Sequence, residues 1–425
     1  MLIVTKFGGS SLSSRSQFQK VKAIIDEDPN RQVVVVSALG KGEGEVNKLT
    51  DLLFLIAAHI RHGVNYDLHW ETIEKRFLSV KNQLGLTYDV SSELAELRQS
   101  LDQDRVSEEF LVSRGEYLTG KLMSEYLGFE FVDAKDVIMF HPSGEVDLKL
   151  SRERLQQAIP PQTKVVIPGF YGAYLSGRVK LLNRGGSDIT AAIVASCLEA
   201  DKYENWTDVP GVLMADPRII TEPVSVAELT YEELSEFSYM GANVLHEETI
   251  YPIRDLNIPI HIKNTNDPGA PGTVISDRPT NQKSRISGIS GKKDFLSINI
   301  FKNKMSTEVG FLRKVFSIFE RYQINVEHVP TGIDHVGIIL SAQEAGEQLD
   351  SLLEALAREL GADEITLKED LSLITIVGQK IISDARAAQS IFTALAREGI
   401  SVQLIAQSPR EINMMVGVTK LLRFS

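Results

Sequence analysis

The chain opens on an apolar, β-branched run, Leu2-Ile3-Val4-Thr5, which ends in Lys6-Phe7 and a Gly8-Gly9-Ser10-Ser11 bend. Beyond the bend, Phe18, Val21, Ile24 and Ile25 recur at helical spacing, and Ser13 or Ser14 is placed to cap that helix. Residues 32–38, Gln-Val-Val-Val-Val-Ser-Ala, read as a parallel strand buried on both faces. Strand, helix and strand make a βαβ unit, which predicts an α/β sheet with ligands at the carboxyl ends of its strands, where Ser37 lies. Apolar spacing from Val46 to about Leu101 predicts a long helical region, and Phe110 to Glu116 opens another helix. Further strands are predicted at 129–133, 164–170 and 259–264, and a short strand and turn over 203–211. Breakers crowd 267–273, and the polar stretch 277–284 contains Pro279, which sets the expected domain boundary there.

The remainder repeats itself. Shifted by seventy-six positions, Ser297-Ile298-Asn299-Ile300 overlays Leu373-Ile374-Thr375-Ile376, and Ile324-Asn325-Val326 overlays Ile400-Ser401-Val402. Leu312, Val315, Phe316 and Phe319 overlay Ala388, Ile391, Phe392 and Leu395. Each unit reads strand, helix, strand, strand. The first continues with a helix over 345–360 and a strand over 364–367, completing βαββαβ. The second runs out of chain, and residues 285–290 are placed to supply its missing strand. The expected division is 1–279 and 280–425, with a unit at about 294–368 nested within one made of about 285–291 plus 371–425.

Composition narrows the classes. With 425 residues, 43% hydrophobic and 24% charged, the chain reads as a globular protein of two or three domains. A net charge of −12 disfavours nucleic acid or an anionic membrane as partner, so anionic ligands need a local cation cluster. No apolar run approaches the ~20 residues of a membrane span, and the N-terminus lacks a signal-peptide pattern. The single cysteine, Cys197, lies in an Ala/Ile/Val-rich helical pattern and reads as a buried structural thiol. A reducing cytoplasm fits.

Two turns carry candidate chemistry. In the first, paired glycines expose backbone N–H groups and clear space for a phosphate that Lys6 can reach. An ordinary strand–helix turn with a surface lysine is the alternative. In the second, Leu181-Leu182-Asn183-Arg184-Gly185-Gly186-Ser187-Asp188 leads into a strong helix former, and the arginine fork is suited to a carboxylate. Glu116 is placed to bind an amine or an acid-stabilised hydroxyl, or else to sit solvated in a first helical turn. His59 and His62 can share a helix face, but no third ligand is evident and no protein-held metal is expected.

Together these stretches resemble aspartate kinase over essentially the whole chain. The resemblance rests on 6–11 (Lys-Phe-Gly-Gly-Ser-Ser), 183–188 (Asn-Arg-Gly-Gly-Ser-Asp), 206–211 (Trp-Thr-Asp-Val-Pro-Gly) with Asp216-Pro217-Arg218, and tandem repeats like ACT domains. It implies an amino-acid-kinase fold, an open and mainly parallel sheet sandwiched by helices, followed by two ACT-type regulatory units. It implies transfer of the γ-phosphoryl of ATP, with Mg2+, to the side-chain carboxylate of L-aspartate, on the route to lysine, threonine and methionine. By that resemblance Lys6 neutralises the transferring group, Arg184 clamps the substrate α-carboxylate and Glu116 pairs with its ammonium. Ser37, Thr50 and Ser187 add hydroxyl contacts, and Asp188 orients the cationic cluster. The ATP positions are Lys6, Gly8, Gly9, Ser10, Thr207, Asp208, Gly211, Leu213, Asp216, Arg218 and Asn243. Two of these depart from the family: Asn243 stands where many members carry lysine and Leu213 where tyrosine is common, so Lys41, Lys263 or Arg218 would supply the missing charge. The repeats imply a homodimer and an amino-acid effector, lysine favoured and threonine the alternative, at Met305, Glu308, Gly310, Phe311, Leu312 and Val326. A catalytically silent amino-acid sensor using the repeats alone is the competing reading.

Overall fold

The computed structural model describes residues 1–425 except 43, 104–105, 184, 218, 240–244, 246–248, 278–285, 380, 382–384, 408–412 and 419–425. The chain divides into two compact units. The first comprises Met1–Val212, Ser225–Ser235 and Asn243–Asn281, the second Leu213–Val224, Glu236–Ala242 and Gln282–Ser425.

The strands of the first unit are β1 (Ile3–Phe7), β2 (Arg31–Val36), β3 (Glu130–Phe131), β4 (Met139–Phe140), β5 (Val165–Pro168), β6 (Tyr171–Tyr174), β7 (Val179–Leu181), β8 (Lys202–Thr207), β9 (Glu228–Leu229), β10 (Ile260–Asn264) and β11 (Thr273–Ile275). Eight of them form one sheet in the order β3-β5-β2-β1-β8-β10-β11-β9. Every neighbouring pair is parallel except β10–β11. The four valines of β2 are fully buried, as a strand covered on both faces requires. Strand order turns outward from β1, with β2 and β5 on one side and β8 and β10 on the other. The gap between β1 and β8 is therefore a topological switch point, where open α/β sheets bind ligands. A smaller sheet, β4-β6-β7, lies apart from the main one in the strand pairing.

The helices that concern the site are α1 (Arg15–Glu27), α2 (Leu49–Arg61), α3 (Asp67–Leu84), α4 (Val90–Asp102), α5 (Glu108–Leu127), α6 (Ala134–Val137), α7 (Leu148–Ala158) and α8 (Gly186–Cys197). Ser14 caps α1, accepting from the Gln17 N–H, and Phe18, Val21, Ile24 and Ile25 are its buried face. Burying each such side chain stabilises the fold by roughly 1.5–3 kcal/mol. Between the glycine bend and α1 the chain makes a short 3-10 turn, Gly9–Leu12, so the α-helix begins later than the pattern alone implies. The helical region after Val46 is three helices, α2 to α4, because the chain breaks after His62 and again at the left-handed Gly85. α8 buries Gly186 to Cys197 almost all round, with Asp188 the exception. Cys197 is a free, buried thiol, and burial pushes its pKa up to about 11. No helix among the described residues is long and apolar enough to cross a membrane.

The second unit holds one antiparallel sheet of β12 (Gly288–Phe301), β13 (His335–Ser341), β14 (Glu364–Val377), β15 (Val402–Gln407) and β16 (Asn413–Val418), ordered β13-β12-β14-β16-β15. Its two central strands each run through both repeats. Gly288–Lys292 of β12 pairs with Leu373–Val377, and Phe295–Phe301 pairs with Glu364–Leu371. Asp294 and Asp370 have φ 66° and 55° and stand seventy-six residues apart, so the repeat extends to the point where each long strand bends. The expected strand at 324–326 is absent. That segment meets β13 only through isolated bridges, His328–Ile339 and Thr331–Val336, with Pro330, which has no N–H to complete a ladder, between them.

Candidate active site

Lys6 is the fourth residue of β1 and only 7% exposed. Its Nζ lies 2.7 Å from Asp188 Oδ1, which comes from the first turn of α8. The two glycine turns found in the sequence therefore meet in space, through Lys6 of one and Asp188 of the other. Gly185, φ 82°, caps α8 in the left-handed region, which lets the chain turn sharply into the helix. A carboxylate in a first helical turn is favoured by the helix dipole. Half-buried beside a buried ammonium, it keeps that cation in place at the switch point.

The neighbouring loops close around this pair. A Cβ on Gly40 would lie 2.1 Å from the Gly9 carbonyl oxygen, so the loops after β1 and β2 touch backbone to backbone. A Cβ on Gly169 would lie 2.7 Å from Ser187 Cβ, which brings the chain after β5 against the start of α8. The Gly8 N–H donates to the Trp206 carbonyl at the end of β8 (3.1 Å), and the Ser37 N–H donates to Phe7 O (3.1 Å). Ser37, Ser187, Gly8 and Gly9 thus gather at the carboxyl ends of β1, β2, β5 and β8. Ser10 is exposed in the short turn, and Thr50 is half-buried at the start of α2.

Glu116 is not a solvated residue in a first turn. It lies well inside α5, 3% exposed, where Gly115 lets the helix pack against Ala38 and Leu53. Burial raises its pKa to about 8, against the opposing pull of the Ala38 backbone N–H and the Arg114 charge. Its Oε2 has no hydrogen-bond partner. A buried, half-satisfied carboxyl at the end of β2 is an acceptor suited to a cation.

Of the expected nucleotide positions, Thr207 ends β8 and its hydroxyl donates to Asp208 (3.3 Å), which is exposed. Gly211 backs onto Thr273, whose hydroxyl accepts from the Val212 N–H at 2.8 Å. Leu213 and Asp216 belong to the second compact unit, and Arg184, Arg218 and Asn243 lie outside the described residues. Lys41 is exposed. Lys263 holds its ammonium over the Trp206 ring, 5.0 Å from the centroid, and so is already engaged elsewhere. Among the described residues no group of three or more His, Cys, Asp or Glu side chains could hold a metal ion.

Sequence reasoning passed over Asn205. It is the polar residue before Trp206 in an otherwise buried strand, it is 4% exposed, and its Nδ2 donates to Asp188 Oδ1 at 2.9 Å. The signal was a polar side chain set inside a strand buried on both faces.

In the second unit, Met305 and Phe311 are buried, Val326 is half-buried and Leu312 is exposed. Gly310, φ 81°, caps the helix Phe311–Arg321. Glu308 pairs with Lys302 (2.7 Å) and Lys314 (2.6 Å), and these contacts hold its carboxyl below the usual range.

A mostly parallel sheet with a lysine–aspartate pair at its switch point and glycine turns beside it is consistent with the class of α/β small-molecule kinases. Comparison with known proteins agrees. Residues 1–264 match the amino acid kinase family, and residues 374–421 match an ACT domain. Aspartokinase 3 of Bacillus subtilis is 35% identical, over 98% of this chain and 94% of its own. The structure of Clostridium acetobutylicum aspartate kinase, an allosteric enzyme, is 42% identical with a TM-score of 0.91, covering 98% of this chain and 96% of that one. E. coli aspartokinase III, solved with aspartate and ADP, is 26% identical with a TM-score of 0.78, again over 98% and 96%. The same enzyme with lysine and aspartate is 25% identical with a TM-score of 0.76 over the same shares. The chain belongs to the amino acid kinase family and, within it, to the aspartokinases.

Proposed function

We propose that this chain transfers the γ-phosphoryl of ATP to the side-chain carboxylate of L-aspartate, giving 4-phospho-L-aspartate. The observation that carries the reading is the ion pair of the buried Lys6 with Asp188 at the switch point of the sheet. A side-chain carboxylate is already ionised at neutral pH, so its oxygen attacks phosphorus without a general base. The bond from the γ-phosphorus to the β,γ-bridging oxygen breaks, and ADP leaves with that electron pair. Such a transfer asks the protein for positioning and charge neutralisation. Lys6 supplies the cation, Asp188 holds it, and Gly8, Gly9 and Ser10 frame the phosphates. Glu116 takes the substrate ammonium, Arg184 the α-carboxylate, and Ser37, Thr50 and Ser187 add hydroxyls. By the family resemblance, Thr207, Asp208, Gly211, Leu213, Asp216, Arg218 and Asn243 are the further nucleotide positions. Mg2+ rides in on the phosphates and supplies further charge neutralisation there.

The product stands at the head of the route to lysine, threonine and methionine. Residues 1–279 form the catalytic part and 280–425 the regulatory part, with one ACT-type unit nested in the other. Lysine is the effector, bound by Met305, Glu308, Gly310, Phe311, Leu312 and Val326, and the ACT units pair two copies of the chain in the cytoplasm. The relative solved with lysine and the matching ACT model support this reading. A silent sensor would have no use for an intact Lys6–Asp188 pair.

Incubation with ATP, Mg2+, L-aspartate and hydroxylamine tests the assignment. Aspartate-dependent hydroxamate is expected, with none from L-glutamate. ADP formation without aspartate dependence overturns it. Lysine in the same assay is expected to suppress the signal, and suppression by threonine alone overturns the choice of effector.

A further inference from the structure

Asn205 stands level with Lys6 in the parallel pairing of β1 and β8. One oxygen, Asp188 Oδ1, accepts from both: from Lys6 Nζ at 2.7 Å and from Asn205 Nδ2 at 2.9 Å. The orientation of the amide follows from chemistry, because a carboxylate can only accept and so must face the NH2 end. The other end of the amide, Oδ1, is buried without a hydrogen-bond partner. An unpartnered buried acceptor destabilises a fold, and a β-branched apolar residue would suit this strand better. Packing therefore gives no reason for asparagine here, whereas the donor to Asp188 does.

We propose that Asn205 is a positioning residue for phosphoryl transfer: it fixes the Asp188 carboxylate so that Lys6 is held at the transferring group. The proposal rests on the catalytic reading of Lys6. With one partner, a carboxylate turns about its terminal torsion and a four-carbon lysine stem follows it. With a donor from the adjacent strand on the same oxygen, the carboxylate is held from two directions. The cation is then set before the substrates arrive, which is where a preorganised charge accelerates the reaction. Among the described residues, Lys6 and the Tyr203 hydroxyl are the other charged or titratable groups that reach Asp188, the latter at 3.5 Å from its backbone oxygen.

Asn205→Ala and Asn205→Asp test this beside Lys6→Ala in the full chain. Asn205→Ala is expected to lower kcat about tenfold or more while both KM values stay within about threefold. In Asn205→Asp, a second carboxyl faces Asp188, and like charge raises the pKa of the pair. Below that pKa the new carboxyl donates as the amide did, and above it the two carboxylates repel. Its kcat is therefore expected to approach the parent's near pH 6 and to fall about tenfold by pH 9, relative to the parent's own profile. An Asn205→Asp profile parallel to the parent's overturns the proposal, as does an unchanged kcat in Asn205→Ala. If Asn205→Ala fails to fold, the pH profile of Asn205→Asp decides alone. Full activity in Lys6→Ala instead overturns the underlying reading of Lys6, which separates the two failures.

Discussion

At the residue scale, Glu116 joins burial to function most tightly. Burial raises its pKa to about 8, so at neutral pH the free chain holds it mostly protonated. A substrate ammonium alongside favours the ionised form, and aspartate binding near pH 7 is expected to release about one proton. Calorimetry in buffers of different ionisation enthalpy reads that number, and Glu116→Gln is expected to release none. Stability moves the other way from a salt-bridged acid. The folded chain holds a proton that the unfolded chain, with an ordinary pKa of 4.5, gives up, so stability falls as pH rises from about 4.5 to about 8. Glu116→Gln is expected to flatten that slope in denaturant titrations while raising KM for aspartate about tenfold or more. A steep slope surviving in the variant would show that the proton sits elsewhere.

At the element scale, the site is made by strand ends and the loops leaving them, and the closeness of those loops is itself testable. Gly40→Ala places a methyl group 2.1 Å from the Gly9 carbonyl oxygen, so the two loops must separate. The expected result is a loss of about 1–3 kcal/mol in stability with a larger proportional loss of turnover, read by thermal melts and steady-state rates. Elements with a strong period were legible in the sequence: β1, β2, α1, and the two glycine turns with Lys6 and Asp188. The small sheet β4-β6-β7 was not, because strands of two to four residues carry no period to read. The strand expected at 324–326 failed because its repeat partner forms an edge strand while this copy runs into Pro330. Glu116 was seen as a candidate, but its burial was not, since that depends on Gly115 packing against Ala38 across the fold. Asn205 shows in the sequence only as a polar side chain within a strand, next to the polar Glu204, and neither its burial nor its partner Asp188 is legible there.

At the scale of the whole molecule, the chain passes repeatedly between its two units, and the stretch just after the Val-Pro-Gly turn belongs to the second. Within that unit the Ile289 N–H donates to Met214 O at 2.7 Å, and Gly288 is pressed against the Phe237 ring. The stretch after that turn is thereby hydrogen-bonded to β12 of the five-stranded sheet. Gly288→Val, whose Cβ would fall 2.4 Å from Phe237 Cζ, is expected to weaken inhibition by the effector while leaving basal turnover within about twofold. Unchanged inhibition curves would remove this segment from the coupling. All of this presupposes that a lysine held by an aspartate at the sheet's switch point carries the reaction. The direct test compares hydroxamate formed from ATP and L-aspartate by the parent and by Lys6→Ala at matched folded concentration. The account predicts that Lys6→Ala melts near the parent's temperature yet turns over about 10²–10³-fold more slowly, and a folded Lys6→Ala at the parent's rate would contradict it.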